Sequence, residues 1–246
     1  MAVWRGRRAR SGGRDSVFSG EAFAVLVYPL LAGVALGALV RRRADRPKVV
    51  CMALFGVYLI EVLRVTLFPI PVDGLMARDF ASIPFMTFAN FVPIVPLFDT
   101  GTDPSQLVQN VMLGVPFGFG AWFVIKRPTL RRVLGQGVAV FLVIELMQGI
   151  IGRIVGFMYR VIDINDLTLN SLGVIVGIVL FYGFGAVVAF MDARQVVAGG
   201  GPYWDYLVCV ARRASRSTPK AGSLKPDPAE NPAEEGRLRG QLGEPL

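Results

Sequence analysis

Among the residues able to do charge or proton chemistry, Glu61, Arg64 and Glu145 stand out because each lies inside an apolar stretch. A charge at the centre of a bilayer costs roughly 2.5–3.5 kcal/mol on insertion scales, so such residues need partners or a purpose. Glu61 and Arg64 are three residues apart and share a helix face, which allows an ion pair within the segment. Glu145 has no basic neighbour in its own segment and shares a face with Gln148 and Gly152. Its partner must come from elsewhere, and Arg160 or Arg64 is available. Asp163, Asp166, Asn170, Gly173 and Gly177 follow steps of 3, 4, 3 and 4, so a helix begun near Ile162 carries all five on one stripe. The two aspartates suit N-terminal capping of that helix as well as ligand binding. The two glycines form a GxxxG pair suited to close helix packing. Asn110, Gly114 and Gly118, at spacings of four, repeat this polar-then-small stripe, with a kink expected at Pro116.

Several chemistries are excluded. Histidine is absent, which removes Ser-His-Asp and Cys-His nucleophile systems and His-ligated metal sites. Cys51 and Cys209 are too few for a thiolate cluster. No nucleophile motif and no Gly-rich phosphate loop is present.

The elements that position these residues are membrane spans. The chain has 246 residues, 53% of them hydrophobic, and a mean hydropathy of +0.53. Charged residues make up 18%, against roughly 25% in soluble domains. Five apolar stretches, near 22–40, 49–69, 107–125, 133–151 and 167–191, reach the roughly 20 residues needed to cross a hydrocarbon core. The expected fold is therefore all-α: a polytopic membrane bundle of about five transmembrane helices. Residues 1–21 read as a basic tail, 22–191 as the transmembrane domain, and 192–246 as a juxtamembrane segment followed by a disordered tail from about residue 211. Between the second and third helices, 70–105 mixes aromatics with Pro84, Pro93 and Pro96. It is too broken to span yet too apolar for water, so it should lie in the interface.

Charge sets the topology. The net charge of +8 points to oriented cytoplasmic loops rather than to nucleic acid. Loop 41–48 holds five basic residues and one acid, and loop 126–132 holds four basic residues and no acid, so both read as cytoplasmic. The acid-bearing segments 70–105 and 152–166 then read as external. Five spans put the N-terminus outside despite Arg5, Arg7, Arg8, Arg10 and Arg14. Either the first stretch does not fully cross, or an extra segment exists near Val196 to Val210.

Taking Pro69, Leu107, Ile151 and Leu167 as external ends, a rise of about 1.5 Å per residue puts Arg64 about 7 Å inside, Glu145 about 9 Å, and Asn110 and Asn170 about 5 Å. Glu61 is slightly deeper. The polar residues gather in the outer half of the membrane, and the inner halves are nearly pure hydrocarbon. This pattern predicts a polar chamber open to the external face.

These residues resemble the VanZ-like family, membrane proteins named for a teicoplanin-resistance protein. The resemblance runs from about Tyr58 to Phe181. Its pieces are YLIEVLRVTLFP, NFVP with Asn90 and Pro93, QNVMLGVPFGF with Asn110, Pro116 and Gly118, ELMQ with Glu145 and Gln148, and RVIDINDLTLNSLGVIVG with Arg160, Asp163, Asp166, Asn170, Gly173 and Gly177. Arg153 is a second candidate for the arginine of the last piece. The resemblance implies a multi-pass protein of the bacterial cell membrane, linked to the envelope and to lowered glycopeptide susceptibility, with no settled chemical activity.

The leading expectation is a chamber that binds an anionic lipid-linked head group, such as a phosphate of a wall precursor. Arg160, with Arg64, supplies a guanidinium fork for phosphate, and Asn90, Asn110, Gln148 and Asn170 orient the ligand. The aromatic segment Phe85 to Phe98 holds the lipid tail. An enzyme acting on a lipid phosphate adds Glu145 as catalytic acid or base, with Asp163 and Asp166 as metal ligands for Mg²⁺. A transporter would use Glu61, Arg64 and Glu145 as a relay. A purely structural bundle would use every polar residue as interhelical glue.

Overall fold

The computed structural model describes residues 17–41, 46–71, 87, 89–92, 104–157, 159–197 and 199–217. Most of the segment 70–105, including Pro84, Pro93, Pro96 and most of Phe85 to Phe98, lies outside these residues, as do the first 16 residues and the tail from 218. Six helices are described: α1 Gly20–Arg41, α2 Arg46–Leu67, α3 Pro104–Val124, α4 Leu130–Val155, α5 Ile164–Ala193 and α6 Gly201–Ser217. The first five are long and apolar enough to cross a membrane. The chain is a multi-pass membrane protein with an all-α bundle.

Short strands join the helix ends. β1 Val17–Phe18 pairs antiparallel with β2 Ile70–Pro71, which ties the start of α1 to the end of α2. Phe23 stacks on Phe68 at the same place, with ring centroids 4.8 Å apart. The first apolar stretch thus forms a full-length helix of 22 residues antiparallel to α2. β3 Ala89–Asn90 pairs in parallel with β4 Ile162–Asp163. The described part of the interfacial segment therefore docks on the start of α5. We call this end of the bundle the acidic end, and the end carrying Arg41, Arg46, Arg127 and Arg131 the basic end.

α3 and α5 run parallel and form the tightest seam in the molecule. A Cβ on Gly114 would collide with the backbone of Asn170 and Val174, and one on Gly118 with Val174 and Ile178. From the other side, a Cβ on Gly173 would strike the Val111 carbonyl and one on Gly177 the Val115 carbonyl. Four glycines thus let two backbones touch, the arrangement that replaces hydrophobic driving force inside lipid. The GxxxG pair and the Asn110–Gly118 stripe are two halves of one contact. α3 continues as helix through Pro116.

Toward the basic end the core is aromatic. Trp122 stacks face to face on Phe181 at 4.8 Å and is 1% exposed, with Phe141 and Phe181 equally buried. α4 contributes the buried stripe Val133, Gly137, Phe141, Ile144, Glu145, Gln148, Gly149 and Gly152. α1 has no buried residue, and Val25, Leu26, Leu30, Val34 and Val40 face outward, as lipid contact requires.

The part of the expected extra segment from Gly201 on forms the start of α6, a helix of 17 residues that packs against α5, α2 and α3. Val208, Val210 and Ala211 are buried, and the Tyr206 hydroxyl donates to the Phe123 carbonyl near the end of α3. Residues 211–217, grouped by composition with the tail, are helical because this amphipathic face has the bundle to pack against.

Candidate functional site

The last carbonyls of a helix have no partner within it, and at the acidic end those of α2 are met by side chains from α4 and the loop after it. Gln148 Nε2 donates to the Thr66 carbonyl at 3.0 Å. Tyr159 Oη donates to the Leu67 carbonyl at 3.0 Å. Arg160 Nη2 donates to the Phe68 carbonyl at 2.6 Å and reaches that of Val65 at 3.4 Å. A guanidinium at a helix C-terminus is also favoured by the helix dipole. The loop can turn back over α2 because Gly156 ends α4 with φ 92°, a left-handed conformation that glycine adopts without strain. Arg153 is exposed while Arg160 is half-buried, so Arg160 is the inward-facing arginine. Burial lowers the pKa of its guanidinium, and the neighbouring Tyr159 and Asp166 partly restore it.

The carboxylates converge on the start of α5. Asp163 is the N-cap, accepting the backbone N–H of Asn165 at 2.8 Å. The same Oδ1 accepts the side-chain amides of Asn90 and Asn165, each at 2.9 Å. Asp166 lies in the first turn of α5 and accepts the side-chain amide of Asn110. Asp163 therefore caps α5, and Asp166 links α5 to α3. Glu145, 6% exposed, accepts the Asp163 backbone N–H at a long 3.4 Å. Its expected ion pair with Arg160 or Arg64 does not form among the described residues, because both cations are engaged elsewhere. Asn170 is 5% exposed and its Oδ1 has no hydrogen-bond partner among the described residues.

Asn170 sits deeper than equal depth with Asn110 would put it. Asn110 is level with Asp166, and Asn170 packs level with Gly114, one turn further in. α3 and α5 each start three residues before the external ends taken for them, at Pro104 and Ile164, so the difference is a stagger of about one turn between the two parallel helices.

Glu61 and Arg64 form a separate group between α1 and α2. Arg64 Nε donates to Glu61 Oε2 at 2.8 Å, and the Tyr28 hydroxyl of α1 donates to Glu61 Oε1. Both side chains are more than a third exposed. Of the expected site residues, Asn90, Asn110, Glu145, Gln148, Arg160, Asp163, Asp166 and Asn170 are brought to the acidic ends of α2–α5, and Glu61 and Arg64 are joined to them by no hydrogen bond or ion pair among the described residues. No cluster of three or more Asp, Glu or Cys placed to hold a metal occurs among the described residues.

Gln148, Arg160, Asp163, Asp166 and Asn170 thus keep their sequence order while meeting in space, and the segment that carries them matches the VanZ/LLP1 family over residues 55–188. The chain belongs to the VanZ/LLP1 family. The VanZ/LLP1 region takes in the polar cluster and the α3–α5 glycine seam, and leaves α1 and α6 outside. No curated protein and no solved structure matches the chain. Sequence reasoning missed Tyr28, Tyr159 and Asn165. Tyr28 carries a signal in hindsight, a hydroxyl within an otherwise apolar span. Tyr159 caps a helix distant in sequence, and nothing local in the sequence marks it.

Proposed function

We propose that this VanZ-family membrane protein works in the bacterial cell envelope and receives the phosphate head group of a lipid-linked wall precursor at the acidic end of α2–α5. The observation that carries the reading is that, among the described residues, Arg160 spends its guanidinium on backbone carbonyls and forms no ion pair with Asp166, while buried Glu145 accepts one long hydrogen bond and the Asn170 Oδ1 none. Buried polar groups in a merely structural cluster are expected to satisfy one another. The carboxylates of Glu145, Asp163 and Asp166 outnumber the one guanidinium of Arg160 at this end, an acidic excess that would repel a bare phosphate. The head group therefore enters with a divalent cation, for which Mg²⁺ suits oxygen ligands from Asp163 and Asp166. Arg160 contacts a phosphate oxygen, and Asn90, Asn110, Gln148 and Asn170 set its orientation. The aromatic segment Phe85 to Phe98, which contains Asn90, is the part of the chain we assign to the tail. Occupying a wall precursor in this way would alter teicoplanin susceptibility, the property in the family's name.

Glu145 is the candidate acid or base if the bound phosphate is also cleaved. A transport reading has less support, because Trp122, Phe123, Phe141 and Phe181 fill the path toward the basic end. The structural reading is favoured by one observation, the capping of α2 by Gln148, Tyr159 and Arg160. Native mass spectrometry of the purified chain separates the two. A co-purifying lipid phosphate, released by a chelator, supports the proposal. A preparation carrying only bulk phospholipid, in wild type and in Asp166→Asn alike, supports the structural bundle.

A further inference from the structure

At the basic end, away from the polar cluster, a crevice of about 360 Å³ opens between three helices, lined by Leu39 and Val40 of α1, Arg46 and Val50 of α2, and Tyr203 of α6. That size falls within the roughly 300–1,000 Å³ used by small-molecule sites. We propose that this crevice binds an anionic phospholipid of the adjacent leaflet, with its phosphate on Arg46 and an acyl chain along Leu39, Val40 and Val50.

The lining is ordered as a lipid is. Arg46 is the first residue of α2, at the head-group level, and Val50 lies one turn further into the apolar layer. Leu39 and Val40 belong to the last turn of α1, and Val40 is 70% exposed. Tyr203 stands at the start of α6 and is 53% exposed, an amphipathic ring at the depth where tyrosines mark membrane interfaces. Charge selects the head group. Among the described residues Arg46 is exposed and makes no hydrogen bond or ion pair, and no acidic side chain of theirs lines the crevice. Arg41 closes α1 and Lys48 lies in the first turn of α2, so the surrounding field is positive. α6 completes the site only because its apolar face, Val208 and Ala211 against Val188, holds it on the bundle. Lipid in the crevice would therefore bridge α6 to α1 and α2.

The test uses the full chain in detergent, stripped of lipid and titrated separately with phosphatidylglycerol and phosphatidylcholine of equal chain length, with bound lipid read by native mass spectrometry. Wild type should bind phosphatidylglycerol about tenfold more tightly, the ratio that 1.4 kcal/mol represents. Arg46→Gln should abolish the preference while leaving phosphatidylcholine binding unchanged, and Tyr203→Ala should weaken both lipids. Arg212→Gln, whose partner is Asp192 outside the crevice, should keep the wild-type preference. Equal affinity of wild type for the two lipids overturns the proposal, as does an undiminished preference in Arg46→Gln.

Discussion

Asn110 of α3 donates its side-chain amide to Asp166 of α5, one turn above the point where Gly114 rests on the Asn170 backbone. A polar clasp and a glycine seam are thus consecutive parts of one parallel helix pair. The seam fixes the spacing at which Asp166 and Asn110 can reach each other, so packing below the site sets its geometry.

The seam predicts an uneven response to adding one methyl group. Gly173→Ala drives a Cβ into the Val111 carbonyl, and neither helix backbone can yield locally. It should cost about 1–3 kcal/mol, the range for overpacking. Gly183, on the same helix, has open space around it, so Gly183→Ala should lose nothing and gain up to about 1 kcal/mol from helix propensity. Thermal unfolding of both variants in one detergent checks the contrast, and equal melting temperatures would remove the seam from the account.

Much of this arrangement is legible in the sequence, for identifiable reasons. Spans are set by length and hydropathy, so five of the six described helices can be placed from composition alone. The stripes Asn110–Gly114–Gly118 and Asp166–Asn170–Gly173–Gly177 are local periodicities, and their small residues announce a close partner without naming it. What sequence cannot supply is the partner of a long-range contact. Arg160 or Arg64 reads as the partner of Glu145, yet Arg160 is taken by the Phe68 carbonyl and Arg64 by Glu61, because an unfilled helix end is invisible in a string of residue types. Glu61 and Arg64 read as part of one chamber, but helix rotation turns them toward Tyr28 of α1.

Capping of α2 by Arg160 separates charge from shape. Arg160→Leu leaves the Phe68 and Val65 carbonyls without their donor and should cost about 1–3 kcal/mol, the range for an unsatisfied buried group. Arg160→Lys keeps a cation that can still reach the Phe68 carbonyl, so most of that stability should remain. Denaturation midpoints of the two variants give the comparison.

Alkaline pH should loosen α6. Burial pushes the Tyr206 hydroxyl up to about 12, above the ordinary value of 10.0. The folded chain then holds a proton that the unfolded chain releases, so stability is full below about pH 10 and falls as pH rises toward 12. Tyr206→Phe should remove this slope and lose about 1 kcal/mol at neutral pH with the Phe123 hydrogen bond. Tryptophan fluorescence of Trp204 across that pH range follows the change, and an identical slope in Tyr206→Phe would contradict it.

Topology follows from the basic loops. Cysteine at Arg153 or Asp99 should react with a membrane-impermeant maleimide in whole cells, and cysteine at Arg131 should be protected. The reverse pattern would turn the bundle over and place the polar cluster on the cytoplasmic side.

The most direct measurement of the central claim is the affinity of the purified chain for a lipid phosphate relative to the matching lipid alcohol, with Mg²⁺ present. Wild type should favour the phosphate by about tenfold or more. Glu145→Gln, Arg160→Lys and Asp166→Asn preserve shape while changing charge or fork geometry, and each should fold with a near-normal melting temperature yet lose that preference. If all three variants fold normally and keep the wild-type ratio, the polar cluster is interhelical glue and does not bind the phosphate.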